Sequence, residues 1–422
     1  MLAMPKEQQL FYKLYNDYTD LSSTTGSTPD GKVDIADTTY NPVYEYYGYF
    51  DSKKCYTYSS TNSRFEPSST PSDQLPDCTG TTDWSGNFLN WATMTRMDAI
   101  RKILYGGYRA VDDATSGSTS GVTVLERAFL PNDAHSFAKF FAPTDTNGTV
   151  SLAAMKKVVP DALADATGVT FCNTTDTVNR SNNNSSRSQN VTEPPLMKAA
   201  KGNYSLWAAN ERWQCGWNND ANGNSDLKNA SNANNSGISL INAFTSNPAR
   251  NDSTGYGNYV VRVQVCKPNF INASSDKDNE KCYSYETSAG VKTVKPRGLL
   301  QAYGETDLIY FGLVTGSYTK NKSGGVLRKA ARSFTDEVTS STGVFLRPTN
   351  SIVNTLDKLR IYGYRYDDGT YFEDNNTGSG TDNCKWALNT YANGICTNWG
   401  NPQAEIYLEA LRYLAGKGAP SS

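Results

Sequence analysis

Eight cysteines carry the most definite chemistry in this 422-residue sequence: Cys55, Cys78, Cys172, Cys215, Cys266, Cys282, Cys384 and Cys396. Their number is even, no CxxC occurs, and His135 is the single histidine. A zinc ribbon, a thioredoxin-like dithiol or a Cys/His zinc cluster therefore lacks ligands at the right spacing. Widely spaced, even cysteines in a polar chain point to disulfides formed in an oxidising compartment. Pairing of sequence neighbours is the simplest arrangement: Cys55–Cys78, Cys172–Cys215, Cys266–Cys282 and Cys384–Cys396. Spacing alone does not dictate connectivity, so other pairings stay open.

Two oxygen-rich loops are candidates for Ca2+, a hard cation that takes clustered oxygen ligands from one flexible segment. "DLSSTTGSTPDGKVD" sets Asp20, Asp30 and Asp34 around a glycine turn, and "DANGNSD" offers Asp220, Asn222, Asn224 and Asp226 at alternate positions. In the second, the glycine falls early and no glutamate closes the loop. A plain polar loop is the competing reading at both. For acid–base chemistry, His135 in "NDAHSFAK" is the sole histidine base, and Glu126, Asp336 and Glu337 could supply a carboxylate pair. No GxSxG, GxGxxG after a strand, P-loop or HExxH accompanies them. The sequence favours a structural histidine and ordinary solvated or strand-end carboxylates, hence no enzyme and no organic cofactor.

The elements that must position these residues belong to a chain with 37% hydrophobic, 19% charged and 12% aromatic residues, the aromatics including 27 Tyr. That aromatic share is too high for a disordered chain, and the uncharged polar excess suits an exported protein with long loops. A net charge of −2 provides no field for nucleic acid, and the short basic run "RKILYGGYR" reads as a solvated helix end. No stretch approaches the twenty apolar residues of a transmembrane helix. The start "MLAMPKEQQLF" is no signal peptide and the end "LAGKGAPSS" has nothing packed after it, so a longer exported protein is expected.

"WSGNFLNWATMTRMDAIRKILYGGYRA" reads as one long helix, capped by Ser85 or Asn87 and stopped by Gly106-Gly107. Leu89, Met97, Ile100 and Leu104 form its stripe, widened by Ala92 and Ile103. "YNPVYEYYGYF" predicts a strand with Tyr44, Tyr46 and Phe50 opposite Tyr47 and Tyr49. "VTVLERAFL" and "YVVRVQVC" predict strands, "DAHSFAKFF" a helical turn, and "DLIYFGLVTG" a buried parallel strand. "RGLLQAYG", "SIVNTLDKLRIYG" and "NPQAEIYLEALRYLAG" predict helices. The last is capped by Asn401, with Ile406, Ala410, Leu411 and Leu414 as its apolar face. Strands alternating with helices imply a mostly parallel sheet covered on both faces. Residues 83–130 and 256–422 then make an α/β core. Residues 1–82 form a Tyr-rich N-terminal segment, and 131–255 an Asn/Ser-rich insertion.

"YYGYFDSKKCYTYSSTNSRFEP", "WSGNFLNWATMTRMDAIRKILYGGYR", "TVLERAFLPNDAHSFAK", "VRVQVC", "GLVTGSYTKNKSGGVLRKAARSFTDEV" and "WGNPQAEIYLEALRYLAG" together resemble the N-terminal region of PilY-type proteins, type IV pilus biogenesis factors and tip-associated adhesins. The resemblance covers most of residues 40–416. It implies a von Willebrand factor A-like three-layer sandwich of Rossmann type, followed in the full protein by a β-propeller. It also implies an exported, non-enzymatic protein of the periplasm, outer surface or pilus tip that works with minor pilins and mediates attachment. One departure is plain: the D-x-S-x-S loop of a metal-dependent adhesion site is missing where "MLAMPKEQQ" stands, so no intact site of that kind is expected. The alternatives are an extracellular glycan- or matrix-binding module unrelated to pili and, behind it, a secreted carbohydrate-active enzyme.

Overall fold

The computed structural model describes residues 1–16, 39–131, 133–175, 194–208, 214–215, 257–271, 279–317, 320–361, 364–365, 370–371 and 400–418. In chain order, β1 (Leu2–Met4) precedes a hairpin of β2 (Cys55–Ser59) and β3 (Arg64–Pro67), and β4 (Trp84–Ser85) runs directly into α1 (Gly86–Thr93) and α2 (Arg96–Tyr105). β5 (Arg109–Asp112), β6 (Thr123–Glu126), β7 (Phe137–Phe141), α3 (Leu152–Met155), β8 (Val169–Thr174) and β9 (Leu196–Lys201) follow. Then come β10 (Gly257–Val260), β11 (Arg262–Val265), β12 (Cys282–Glu286), β13 (Lys292–Pro296), α4 (Leu299–Gly304), β14 (Phe311–Thr315), β15 (Val326–Arg332) and α5 (Ile352–Lys358). A short pair, β16 (Tyr364–Arg365) and β17 (Thr370–Tyr371), precedes α6 (Gln403–Leu414).

The expected Rossmann-type sandwich does not form. Six strands order as β4-β2-β3-β11-β6-β5, four as β10-β9-β8-β7 and three as β1-β14-β15, with β12-β13 and β16-β17 as separate pairs. Among the described strands, only β3–β11 and β1–β14 run parallel. The remaining pairings are antiparallel. The apolar run 308–315 is strand only over β14, which is covered by helices on both sides and does run parallel to β1 but antiparallel to β15, while Leu308, Ile309 and Tyr310 before it are exposed. Double-sided burial does not specify strand direction. Leu2, Met4 and Leu313 point into a core with Phe334, Ile352, Val353 and Leu356, while Met1, Ala3 and Val314 pack on Ile406 and Ala410 of α6. This is the two-face alternation that a strand imposes.

The long helix is two helices. Ser85 caps α1 by accepting from the Phe88 N–H, and Met94 turns extended after it. Thr95 then opens α2 through a capping box with Asp98, and Gly106 closes it in the left-handed conformation at φ 86°. All of α1 is buried. Leu89, Phe88 and Trp91 sit in one aromatic core with Tyr56, Phe65 and Trp84 from the six-stranded sheet and Phe141, Val169 and Phe171 from the four-stranded one. Met97 is buried as expected, but Ile103 is 45% exposed and lies outside the stripe.

Three further sequence expectations fail. "DAHSFAKFF" contains β7, with Phe137, Lys139 and Phe141 buried in strand alternation. "YVVRVQVC" breaks at Val261 into β10 and β11, which belong to different sheets. The Tyr-rich segment 41–50 is irregular. There Tyr46, Tyr49 and Phe50 are buried while Tyr44 and Tyr47 are exposed.

Candidate functional site

Six of the eight cysteines lie among the described residues, and all six are bonded: Cys55–Cys78, Cys172–Cys215 and Cys266–Cys282. Cys384 and Cys396 lie outside them, as do the candidate calcium ligands Asp20, Asp30, Asp34, Asp220, Asn222, Asn224 and Asp226. Each staple ties a strand to something the strand ladder cannot hold. Cys55 begins β2, and Cys78 sits in the loop whose N–H donates to Lys157 O at 2.9 Å. Cys172, in the middle of β8, anchors Cys215 against Trp207 in a small buried cluster. Cys266 follows β11 and Cys282 starts β12, so the third staple fastens the β12–β13 hairpin to the six-stranded sheet.

A buried ion pair bridges two of these staples. Lys54 Nζ lies 2.9 Å from Glu280 Oε1, with both side chains out of solvent. Glu280 Oε2 accepts the Cys266 N–H at 2.7 Å. Cys266, Glu280 and Cys282 present their ligand atoms within 4.8 Å of one another, which invites a metal reading. The chemistry opposes it. The two sulfurs are bonded to each other, so neither is a thiolate, and the carboxylate is already engaged by a cation and an amide.

The Tyr-rich segment has a second mode of attachment. Asn87 and Asn90, one turn apart on α1, act as a side-chain ladder for its backbone. Asn87 Oδ1 accepts the Tyr46 N–H at 2.7 Å and its Nδ2 donates to Tyr44 O at 2.8 Å. Asn90 accepts the Phe50 N–H at 3.0 Å and donates to Tyr46 O at 2.8 Å and Phe50 O at 2.9 Å. Backbone groups without a strand partner are thereby satisfied inside the core. An Asn pair at i, i+3 in an otherwise apolar helix was the legible signal for this, because a buried amide needs partners.

The basic end of α2 is not solvated. Arg101 is fully buried and its guanidinium donates to Leu356 O at 2.7 Å and Leu359 O at 3.2 Å, at the carboxyl end of α5. That end of a helix favours a cation. Tyr105 Oη donates to Asp357 Oδ1 at 2.8 Å, and Arg347 Nε reaches Asp357 Oδ2 at 3.0 Å. Burial pushes the Asp357 carboxyl above the usual carboxylate range, although Arg101 and Arg347 pull it back. Burial likewise pushes up the Tyr105 hydroxyl. Next to this cluster Asp112 receives Lys295 at 2.8 Å and Arg109 at 3.0 Å. Burial alone would raise Asp112, but the two cations hold it below the usual range.

The carboxylates considered for acid–base work are spent on structure. Glu126 pairs with Arg262 at 2.6 Å. Glu337 accepts the Ile352 and Val353 N–H groups, each at 2.8 Å, and Lys329 Nζ at 2.6 Å, while Asp336 pairs with Lys329 and Arg332. His135 is buried, with Nδ1 2.7 Å from Asp133 Oδ1 and its ring stacked on Tyr12. The structure does not gather His135, Glu126 and Glu337 at one cleft: each serves a different strand or helix end.

A cleft of about 250 Å³ does open at the carboxyl ends of β1 and β14, between β15 and α5. Lys6, Thr315, Arg328, Asn354, Thr355 and Lys358 are among its lining residues.

These features define a disulfide-braced, mixed α/β module with an aromatic core and buried polar clamps. Residues 37–199 match the family model described as "PilY1 homolog, small alpha/beta domain", and residues 311–422 match "PilY1 homolog, second domain". The chain is 33% identical over 433 aligned residues to a type IV pilus biogenesis factor PilY1 homolog of Xylella fastidiosa (strain Temecula1 / ATCC 700964), an alignment that takes in all of this chain and 24% of that protein. Another PilY1 homolog of the same strain is 41% identical over 104 residues, 23% of this chain and 8% of the relative. No solved structure matches. The chain belongs to the PilY1 homolog family, and it spans about a quarter of the length of the first of these relatives.

Proposed function

We propose that this chain is a non-enzymatic, exported part of a type IV pilus biogenesis factor, acting at the pilus tip as a load-bearing adhesive module with minor pilins as partners. The observation that carries the reading is the identity to a protein of that name along the whole chain. The staples support it physically. A disulfide prevents the chain between its cysteines from being drawn out, which suits a module under tension. The clamps at Asn87, Asn90 and Glu280 hold irregular backbone that a sheet ladder would not protect. Complementation of a strain lacking the gene tests the proposal. The intact gene should restore piliation and surface attachment, and the protein should co-purify with minor pilins. Normal piliation and attachment in the deletion strain would overturn it. Ca2+ at the loops carrying Asp20, Asp30 and Asp34, and Asp220 to Asp226, belongs to the same reading. Its support is ligand spacing, and its check is a fall in thermal midpoint when a chelator is added.

A further inference from the structure

The cleft at the carboxyl ends of β1 and β14 has an unusual charge. Its lining includes three cations, Lys6, Arg328 and Lys358, and no carboxylate. The acid next in sequence, Glu7, faces elsewhere: its carboxylate receives Asn401 Nδ2 and the Gln9 N–H. Lys358 is exposed and has no ion-pair partner among the described residues. Arg328 is half-buried, with Nε donating to Thr315 Oγ1 at 2.8 Å. From α5, Asn354 and Lys358, one turn apart, line the same opening, with Thr355 beside them. Two layers make this place a crevice. The parallel β1–β14 pair ends here, Gly316 N–H donating to Met4 O at 3.3 Å, with α5 packed on one face and α6 on the other.

We propose that this cleft binds an oxyanion, the sulfate, phosphate or carboxylate group of a ligand. Arg328 would be its planar donor, Lys6 and Lys358 its flanking charges, and the second hydrogen of the Asn354 amide its neutral donor, the first going to Pro348 O. Thr355 gives its hydroxyl hydrogen to Ser351 O and only lines the wall. A guanidinium matches the geometry of such oxygens, and the ammonium groups add point charge. The same charge set disfavours a divalent cation at these strand ends. The inference is independent of the pilus reading, because it rests on the cleft alone.

The test is titration of the purified 422-residue chain with inorganic sulfate, inorganic phosphate and galacturonate, each at constant ionic strength, followed by calorimetry. At least one anion should bind saturably, and Lys358→Glu should weaken it by about tenfold or more, equivalent to about 1.4 kcal/mol. The double variant Lys6→Gln/Lys358→Glu should abolish binding, and Lys358→Glu alone should keep the ligand-free thermal midpoint of the parent. Lys292→Glu, an equal charge change outside the cleft, should bind as the parent does. Preference for galacturonate would identify an acidic saccharide as the source of the group, and preference for phosphate or sulfate an esterified ligand; either supports the site. The proposal is overturned if none of the three anions saturates, if Lys358→Glu binds like the parent, or if Lys292→Glu loses as much.

Discussion

Reducing the disulfides should change the mechanics of this protein by amounts the sequence separations set. The three bonded pairs enclose separate, non-nested loops, with separations of 23, 43 and 16 residues. On the loop-entropy estimate, the longest contributes about 4 kcal/mol and the shortest about 3 kcal/mol, through the unfolded state. Under force the effect is geometric. An extended chain spans at most about 3.3–3.6 Å per residue, so Cys172–Cys215 hides roughly 150 Å of contour, Cys55–Cys78 roughly 80 Å and Cys266–Cys282 roughly 55 Å. Single-molecule pulling of the oxidised chain should therefore show unfolding lengths short by these amounts. With a dithiol reductant present, the lengths should appear and the unfolding force should fall. Replacing one pair at a time by serine should restore one length at a time, which assigns each increment. If oxidised and reduced chains unfold at the same force and length, the staples bear no load and the mechanical reasoning fails.

Other perturbations test the clamps. Asn90→Ala strands the Phe50 N–H and the carbonyls of Tyr46 and Phe50 in the core, and should cost about 2–4 kcal/mol in chemical denaturation; a loss below about 0.5 kcal/mol would mean water replaces the amide. Glu337→Ala leaves the fully buried Lys329 with Asp336 and the Ser333 carbonyl and frees two amides of α5, for an expected loss of about 3–5 kcal/mol. Glu337→Gln, which keeps the acceptor oxygen, should lose less; equal losses would show that the charge alone matters. The Asp112 carboxyl is depressed by Arg109 and Lys295, so its contribution is complete above the unfolded value of about 3.9 and is lost as pH falls through the lower folded value. Asp112→Asn should flatten that part of the acid limb of a stability–pH curve, and an unchanged limb would remove Asp112 from the account.

Much of the local structure was legible. Ser85, Thr95 with Asp98, Gly106 and Ser351 mark helix ends by chemistry that acts within four residues, so the sequence states it directly. The break at Met94-Thr95 was missed because apolar spacing continues through it, although Thr95 and Asp98 spell a capping box in the middle of the supposed helix. The candidate catalytic residues were readable as structural from the missing motifs, yet their partners were not. Glu337 meets the start of α5 fifteen positions later, and Glu126 meets Arg262 across two strands.

By itself, then, the sequence determined the disulfide chemistry, the Ser85 cap and the Gly106 stop, the family and the absence of any nucleophile motif, because each depends on residue identity or on neighbours along the chain. Asn401, read as the cap of α6, instead donates to Glu7. Tertiary structure alone decided strand direction, the splitting of 257–265 between two sheets and the burial of Arg101. Those follow from which surfaces meet across hundreds of residues. Leu356 O lies 255 positions from the guanidinium that caps it, and no periodicity in either segment encodes that encounter. The cationic cleft belongs to the same class: Lys6, Arg328 and Lys358 become one site only when β1, β15 and α5 pack together.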